Sequence, residues 1–277
     1  MIRITVPAST ANLGAGFDTL ALALSMSLEV GLVSPHQPSD ARNCDAHHPA
    51  AVAFARSGGV GSIWSHDRIP MGRGLGFSGA ARVGGALLAI AQRDGVVSAN
   101  SLDARLAAFA IASELEGHPD NAAASALGGL TVAAAGRAIR VPIAVDADVV
   151  VWVPETTTST KESRTKLNPS VSLTDAVANV SRSSLFVAAM VTGDVAALND
   201  ATHDRLHQDV RLAMVPDTKH AMRTALEAGA YASWLSGSGP TMACLVDPTR
   251  ADAVGRALPK GGVVHHLKID LNGPVAR

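Results

Sequence analysis

Four glycines, Gly72, Gly74, Gly76 and Gly79, fall within eight residues of the segment PMGRGLGFSGAAR, which runs from Pro70 to Arg82. Glycine reaches positive φ without steric cost and leaves the backbone bare, so the spacing predicts a loop that a ligand approaches closely. Residues 78–92, which follow, are small and apolar at helical spacing, placing a helix N-terminus at the end of the loop. Free N–H groups and the positive end of the helix dipole make that junction an anion site, most simply for phosphate. Ser78 stands at the helix start, where its hydroxyl suits a phosphate oxygen, Mg²⁺ or a plain N-cap.

The type of phosphate fold is narrowed by what is missing. The pattern GxxxxGK[ST] does not occur, which excludes a P-loop. Gly74–Gly79 fits GxGxxG, and Asp94 lies twenty positions after Gly74, as the acid of a dinucleotide-binding fold would. That acid should end a second buried strand, however, and QRDGVVSANS around Asp94 reads as a helix end and a polar turn. A nicotinamide-dependent oxidoreductase is therefore disfavoured.

Two further bare-backbone loops accompany the first: STANLGAGFD, from Ser9 to Asp18, and SGSGPT, from Ser236 to Thr241. Beside them, ELEGHPDN (Glu114 to Asn121) gathers three acids, a histidine and an asparagine around a Gly/Pro turn. So many chemically capable groups in eight residues favour a site over a solvated helix end. Other chemistries find less support. Lys and Arg number 23 against 24 Asp and Glu, and aromatics are 3%, so neither a polyanion-attracting field nor a base-stacking platform is present. Cys44 and Cys244 show no CxxC spacing and read as reduced thiols. His203 and His207 lie four apart but lack the glutamate of HExxH. The uncharged stretch 121–136 falls short of the ~20 apolar residues that span a bilayer. The N-terminus, MIRITVPAST, alternates like a strand and has no leader-like apolar run. The expectation is a soluble, cytoplasmic protein with no nucleic-acid or membrane partner; a homodimer is left open.

Along the chain, strands are expected at 2–6 (ending at Pro7), 27–33, 62–65, 130–134, 148–153, 232–235, 242–246 and 262–267. Helices are expected at 50–56, 78–92, 102–115, 122–127, 173–192, 195–199, 210–212, 218–228 and 251–258. This order is α+β and lacks regular βαβ alternation. A boundary near residue 147 would separate an N-terminal phosphate-binding domain, 1–147, from a C-terminal domain, 148–277.

These segments, in this order, resemble the three motifs of the GHMP kinases, matched at 7–18, 70–81 and 235–241. Within that family PASTANLGAGFD, EGHPDN followed by GGLTVA, and DRLHQDVR look like homoserine kinase. The resemblance implies an N-terminal domain like domain 2 of ribosomal protein S5 and a ferredoxin-like C-terminal domain. It implies ATP and Mg²⁺ as cofactors and phosphorylation of the L-homoserine hydroxyl, a step toward threonine. Alternatives are a GHMP kinase acting on another small hydroxy compound and a non-catalytic nucleotide-binding relative.

Carried over residue by residue, the resemblance assigns Pro70, Gly72, Arg73, Gly74, Leu75, Gly76, Phe77, Ser78, Gly79 and Ala80 to the nucleotide phosphates. Glu116, with Ser78, would serve the metal, Glu114 being the alternative. Homoserine would lie against Asn12, Asp18, His118, Asp120, Asn121 and Gly237. Asp18 suits its ammonium, Asn121 its reacting hydroxyl, and Arg164 and Arg211 its carboxylate, with Arg205 a third choice. Asp120 is the candidate base, although a phosphate oxygen is an alternative proton acceptor. The family usually carries GLGSS where this chain has GLGFSG, so Phe77 places a bulky side chain where a serine is expected.

Overall fold

The computed structural model describes residues 2–158 and 160–277. Among the described residues eleven strands form two antiparallel sheets. The first contains β1 (Arg3–Ala11), β2 (Leu20–Leu32), β3 (Arg42–Asn43), β4 (Ile63–Asp67), β5 (Leu130–Ala134) and β6 (Arg137–Val141). The second, in spatial order β10-β7-β9-β8, contains β7 (Asp148–Pro154), β8 (Ala232–Leu235), β9 (Met242–Val246) and β10 (Gly262–Leu267). A last strand, β11 (Val275–Ala276), returns to pair with β1. The first sheet thus ends with β6 close to residue 147, yet it reclaims the final residues of the chain.

Helices α1 (Pro49–Arg56), α2 (Phe77–Asp94), α3 (Val96–Ala99), α4 (Leu102–Glu116) and α5 (Asp120–Leu127) belong to the first half. The second half supplies α6 (Thr160–Thr165), α7 (Leu173–Thr192), α8 (Leu198–Ala201), α9 (Gln208–Leu212), α10 (Pro216–Glu227) and α11 (Ala251–Ala257). The small side chains of α2 let it lie on β1 and β2 while α1 and α4 pack alongside. Asp94 ends α2 with its side chain exposed beside Arg93, far from the strand-end position of a dinucleotide-binding acid.

The unbroken apolar run of β7 has a simple cause. Val149, Val151 and Val153 face the core shared with the first sheet, whereas Val150 and Trp152 face a second core beneath α10 and α11. Both faces are covered, so alternation disappears. β3, β6 and β11 were not expected, and two expected strands run further than their sequence suggests. β1 does not stop at Pro7: its register against β2 shifts between Pro7 and Ala8, and this bulge accommodates a residue without an N–H. β2 begins at Leu20 rather than near 27, because LALAL is buried at every position and shows no period. Both cysteines are free. No helix among the described residues is long and apolar enough to cross a membrane.

Candidate active site

The three glycine loops meet. Gly72, Gly74 and Gly76 all adopt positive φ, between 68° and 77°. At two of them the neighbours also exclude a side chain: a Cβ on Gly74 would stand 2.3 Å from the Ser236 carbonyl oxygen, and one on Gly76 2.1 Å from Ser9 Oγ. Ser236 Oγ donates to the Gly74 carbonyl at 2.6 Å, and the Gly237 N–H donates to Ala11 O at 3.1 Å. Bare backbone is thus demanded by loop-to-loop packing as well as by any ligand.

These loops border a cleft of about 270 Å³. Every residue proposed from sequence between Pro70 and Gly79 lines it, together with Asn12, Asp18, Glu116, His118, Asp120, Asn121, Arg164, Arg211 and Gly237. Ala80 does not; it is fully buried and its N–H already closes the first helical bond, to Gly76 O. Arg73 turns its side chain to the carbonyls of Pro154 and Thr156, so it staples the loop to the end of β7. Phe77 lines the cleft, but its ring is largely turned inward. It is 6% exposed and packs edge-on against His48, its ring centroid 5.8 Å from the imidazole.

At one side of the cleft Ser78 Oγ donates to Glu116 Oε1 at 2.6 Å. Glu116 is the last residue of α4, where a carboxylate faces the negative end of the helix dipole and calls for a cation. Arg82 supplies one, in contact with both Glu116 and Ser78; burial pushes its pKa down from the ordinary arginine value. Glu114 is unsuited to the metal role: it is exposed and paired with Arg56 at 3.2 Å. A hydroxyl and a carboxylate side by side are hard oxygen donors of the kind Mg²⁺ accepts. Among the described residues no group of three His, Cys, Asp or Glu side chains gathers into a metal cage. The residues therefore fit a cation that draws most of its ligands from phosphate and water. Next along, His118 Nδ1 lies 3.0 Å from Asp120 Oδ1, which also accepts the Asn121 N–H at 2.8 Å. Asn121 Oδ1 accepts from Ser9 Oγ at 2.9 Å.

The opposite set of groups carries charge. Arg164 on α6 grips Asp18 through two hydrogen bonds, 2.7 and 2.8 Å. This contact holds the Arg164 pKa above its ordinary value. Asn12 orders the Asp18 loop, accepting the Asp18 N–H at 3.0 Å while donating to Gly237 O at 2.9 Å. Asn12 and Asp18 both hold positive φ (71° and 53°), strain that the surrounding contacts maintain. Arg211 is 2% exposed, has no ion pair among the described residues, and donates to Gly237 O at 3.2 Å. Burial and then the neighbouring Arg164 charge press its pKa down. The Phe17 ring lies under both guanidinium groups, 5.4 Å from Arg164 and 5.1 Å from Arg211. Arg205 points elsewhere, exposed and 3.5 Å from Asp175.

Sequence reasoning overlooked Ser9, Phe17, Arg82 and Thr158, whose hydroxyl donates to Gly239 O at 2.5 Å. Ser9, Phe17 and Arg82 lie inside segments singled out for their glycines, but nothing local marks their partners.

Comparison with known proteins places the chain among phosphotransferases. Residues 186–264 match the family model described as GHMP kinases C terminal. A homoserine kinase of Desulfitobacterium hafniense is 36% identical, the match covering 96% of this chain and 94% of the relative. One from Streptomyces avermitilis is 38% identical over 98% of this chain and 94% of its own. Among solved structures, homoserine kinase from Cytophaga hutchinsonii superposes with a TM-score of 0.81 at 23% identity, covering 100% of this chain and 97% of that one. A mevalonate kinase shares the fold at a TM-score of 0.71 and 10% identity, over 97% and 99% of the two chains.

Proposed function

The chain belongs to the homoserine kinase family, and on that premise we propose that it transfers the γ-phosphoryl group of ATP to the side-chain hydroxyl of L-homoserine, giving O-phospho-L-homoserine and ADP. The observation that carries the choice of acceptor is Arg211, a buried guanidinium with no ion-pair partner among the described residues, beside the Asp18–Arg164 pair. A buried cation left unpaired is costly, so a site of this kind favours an anion from the ligand. An α-amino acid brings both charges needed: its carboxylate suits Arg211 and Arg164, and its ammonium suits Asp18. Mevalonate and sugars bring no ammonium.

The catalytic work is mainly alignment and charge neutralisation. The bare amides of the loop around Gly74 and Gly76 and the start of α2 cradle the nucleotide phosphates. Ser78 and Glu116 would hold Mg²⁺, which when bound neutralises charge on the phosphate oxygens. Asn121, fixed by Ser9, positions the acceptor hydroxyl. Asp120, tethered to His118, would receive the proton, with a phosphate oxygen as the alternative acceptor.

Release of ADP from Mg-ATP, measured across homoserine, shikimate, mevalonate and galactose, tests the reading. Turnover confined to homoserine is expected. Turnover only with an acceptor lacking an amino group would overturn it, and none with any acceptor would point to a non-catalytic nucleotide-binding protein.

A further inference from the structure

Besides Gly237 O, Arg211 meets a residue outside the cleft lining. His207, one helical turn earlier and 1% exposed, lies with Nδ1 3.2 Å from Arg211 Nη1 and Nε2 2.9 Å from Gly14 O. An arginine only donates and a carbonyl only accepts, so one tautomer satisfies both contacts: Nε2 carries the proton and Nδ1 offers its lone pair. We propose that His207 is a positioning residue that, as a neutral imidazole, aims the Arg211 guanidinium at the substrate carboxylate. The inference rests on the homoserine reading of the cleft.

Three observations support a neutral acceptor there. First, a carboxylate in the same place would neutralise Arg211 and compete with the substrate, whereas an imidazole lone pair orients the guanidinium and leaves its charge available. Second, the nearby carboxylate is occupied. Asp204 lies 3.8 Å from His207 Nε2, but it accepts the N–H groups of Leu206, His207 and Gln208 and the amide of Asn179, at 2.7–3.1 Å. It therefore ties together the turn that leads into α9. Third, Phe17 stacks on the imidazole at 4.9 Å and 23° while lying under both guanidinium groups, so one ring fixes the spacing of His207, Arg211 and Arg164. Burial and the Arg211 charge lower the His207 pKa, in keeping with a neutral ring. Through Gly14, His207 also ties Arg211 to the loop that bears Asn12 and Asp18.

Two substitutions separate the halves of this role. In His207→Asn the amide oxygen takes the place of Nδ1 and keeps an acceptor for Arg211. In His207→Gln the amide nitrogen takes the place of Nε2 and keeps only the donor to Gly14. His207→Gln is expected to raise KM for homoserine about tenfold or more, with KM for ATP changed less than about twofold, as loss of one charge-assisted hydrogen bond implies. It should also shrink the preference for homoserine over 3-aminopropan-1-ol, which lacks only the carboxylate. His207→Asn should recover most of that preference. No change in His207→Gln, or equal losses in both variants with KM for ATP rising in step, would overturn the proposal. Nitrogen NMR of the wild-type imidazole supplies a readout independent of any variant's folding and of turnover. Protonated Nε2 with bare Nδ1 at pH 7 is expected, and a doubly protonated or Nδ1–H ring would overturn the proposal. If the wild type showed that tautomer but did not phosphorylate homoserine, the functional reading and the aim at its carboxylate would both fall, leaving only the His207–Arg211 hydrogen bond.

Discussion

The guanidinium of Arg164 closes on the carboxylate of Asp18 through two hydrogen bonds, joining residues 146 positions apart in the chain. The pair is partly exposed, at 39% and 29%, so it contributes little to stability and opens readily. A zwitterion can insert into it, ammonium to Asp18 and carboxylate to Arg164, exchanging one ion pair for two. Asp18→Asn should therefore raise KM for homoserine roughly 10–100-fold, the scale of a lost hydrogen bond to a charged group. It should also abolish discrimination against 4-hydroxybutanoate, the acceptor without the amine. Steady-state kinetics with the two acceptors decides this, and retained discrimination would remove Asp18 from the ammonium site.

Glu116 and Glu114, two residues apart, should behave differently. Glu116→Gln takes a ligand from the proposed cation site and leaves Arg82 without its carboxylate, so half-maximal activity should require at least ~10-fold more Mg²⁺. Glu114→Gln loses only an exposed contact with Arg56, worth at most about 1 kcal/mol, and should leave the Mg²⁺ dependence unchanged. A magnesium titration of initial rates compares them directly, and identical curves would argue against Glu116 as a ligand.

Gly74→Ala tests the loop. The added Cβ meets the Ser236 carbonyl, which is backbone and cannot swing aside, and φ of 77° disfavours any L-side chain. Loss of about 1–3 kcal/mol of stability is expected, with KM for ATP rising more than KM for homoserine. Thermal unfolding with and without ATP checks both: the stabilisation conferred by nucleotide should shrink along with Tm.

Asp120→Asn addresses the proton. Its Oδ1 already serves the Asn121 N–H and His118, so the amide can keep part of the geometry. If alignment suffices, kcat should fall by less than ~10²-fold; removal of a general base costs ~10²–10⁴. Loss in the upper part of that range would make Asp120 the base.

What could be read from the sequence follows the range of the physics involved. The loop from Pro70 to Gly79 was legible because glycine spacing and the start of a helix are local signals, and α2, α4 and α7 because their apolar residues repeat within a few turns. The continuation of β1 through Pro7 was hidden because the bulge that tolerates the proline depends on where β2 shifts register. β6 was missed because it is a short, half-exposed hairpin arm whose turn uses Ala135 at φ 50°, where Asn or Asp is the usual signal. In the site, the candidate residues were visible as chemistry, but their pairing was not. Nothing local joins Arg82 to Glu116, His207 to Gly14, or Phe77 to His48; each contact exists only once separate elements pack.

The buried histidine of that site should also be visible in acid stability. Burial, first, holds the His207 pKa below its ordinary 6.5, and burial lowers His48 and His265 as well. A depressed histidine is stabilising above the unfolded value, and that contribution is lost as pH falls below about 6.5, because the unfolded chain takes up the proton first. Asp204 acts in a lower window. Burial pushes its carboxyl up, but His207 and the N–H donors bring it down overall, so its contribution persists until pH falls below about 3.8. Tm should therefore decline between pH 7.5 and 5.5, by about 2–4 °C for each 1 kcal/mol lost in a chain of this size. His207→Gln should decline less steeply over the same interval, even if its Tm at pH 7.5 is lower. Scanning calorimetry at matched ionic strength measures both slopes, and parallel slopes would mean that His207 is not a depressed, buried titrating group.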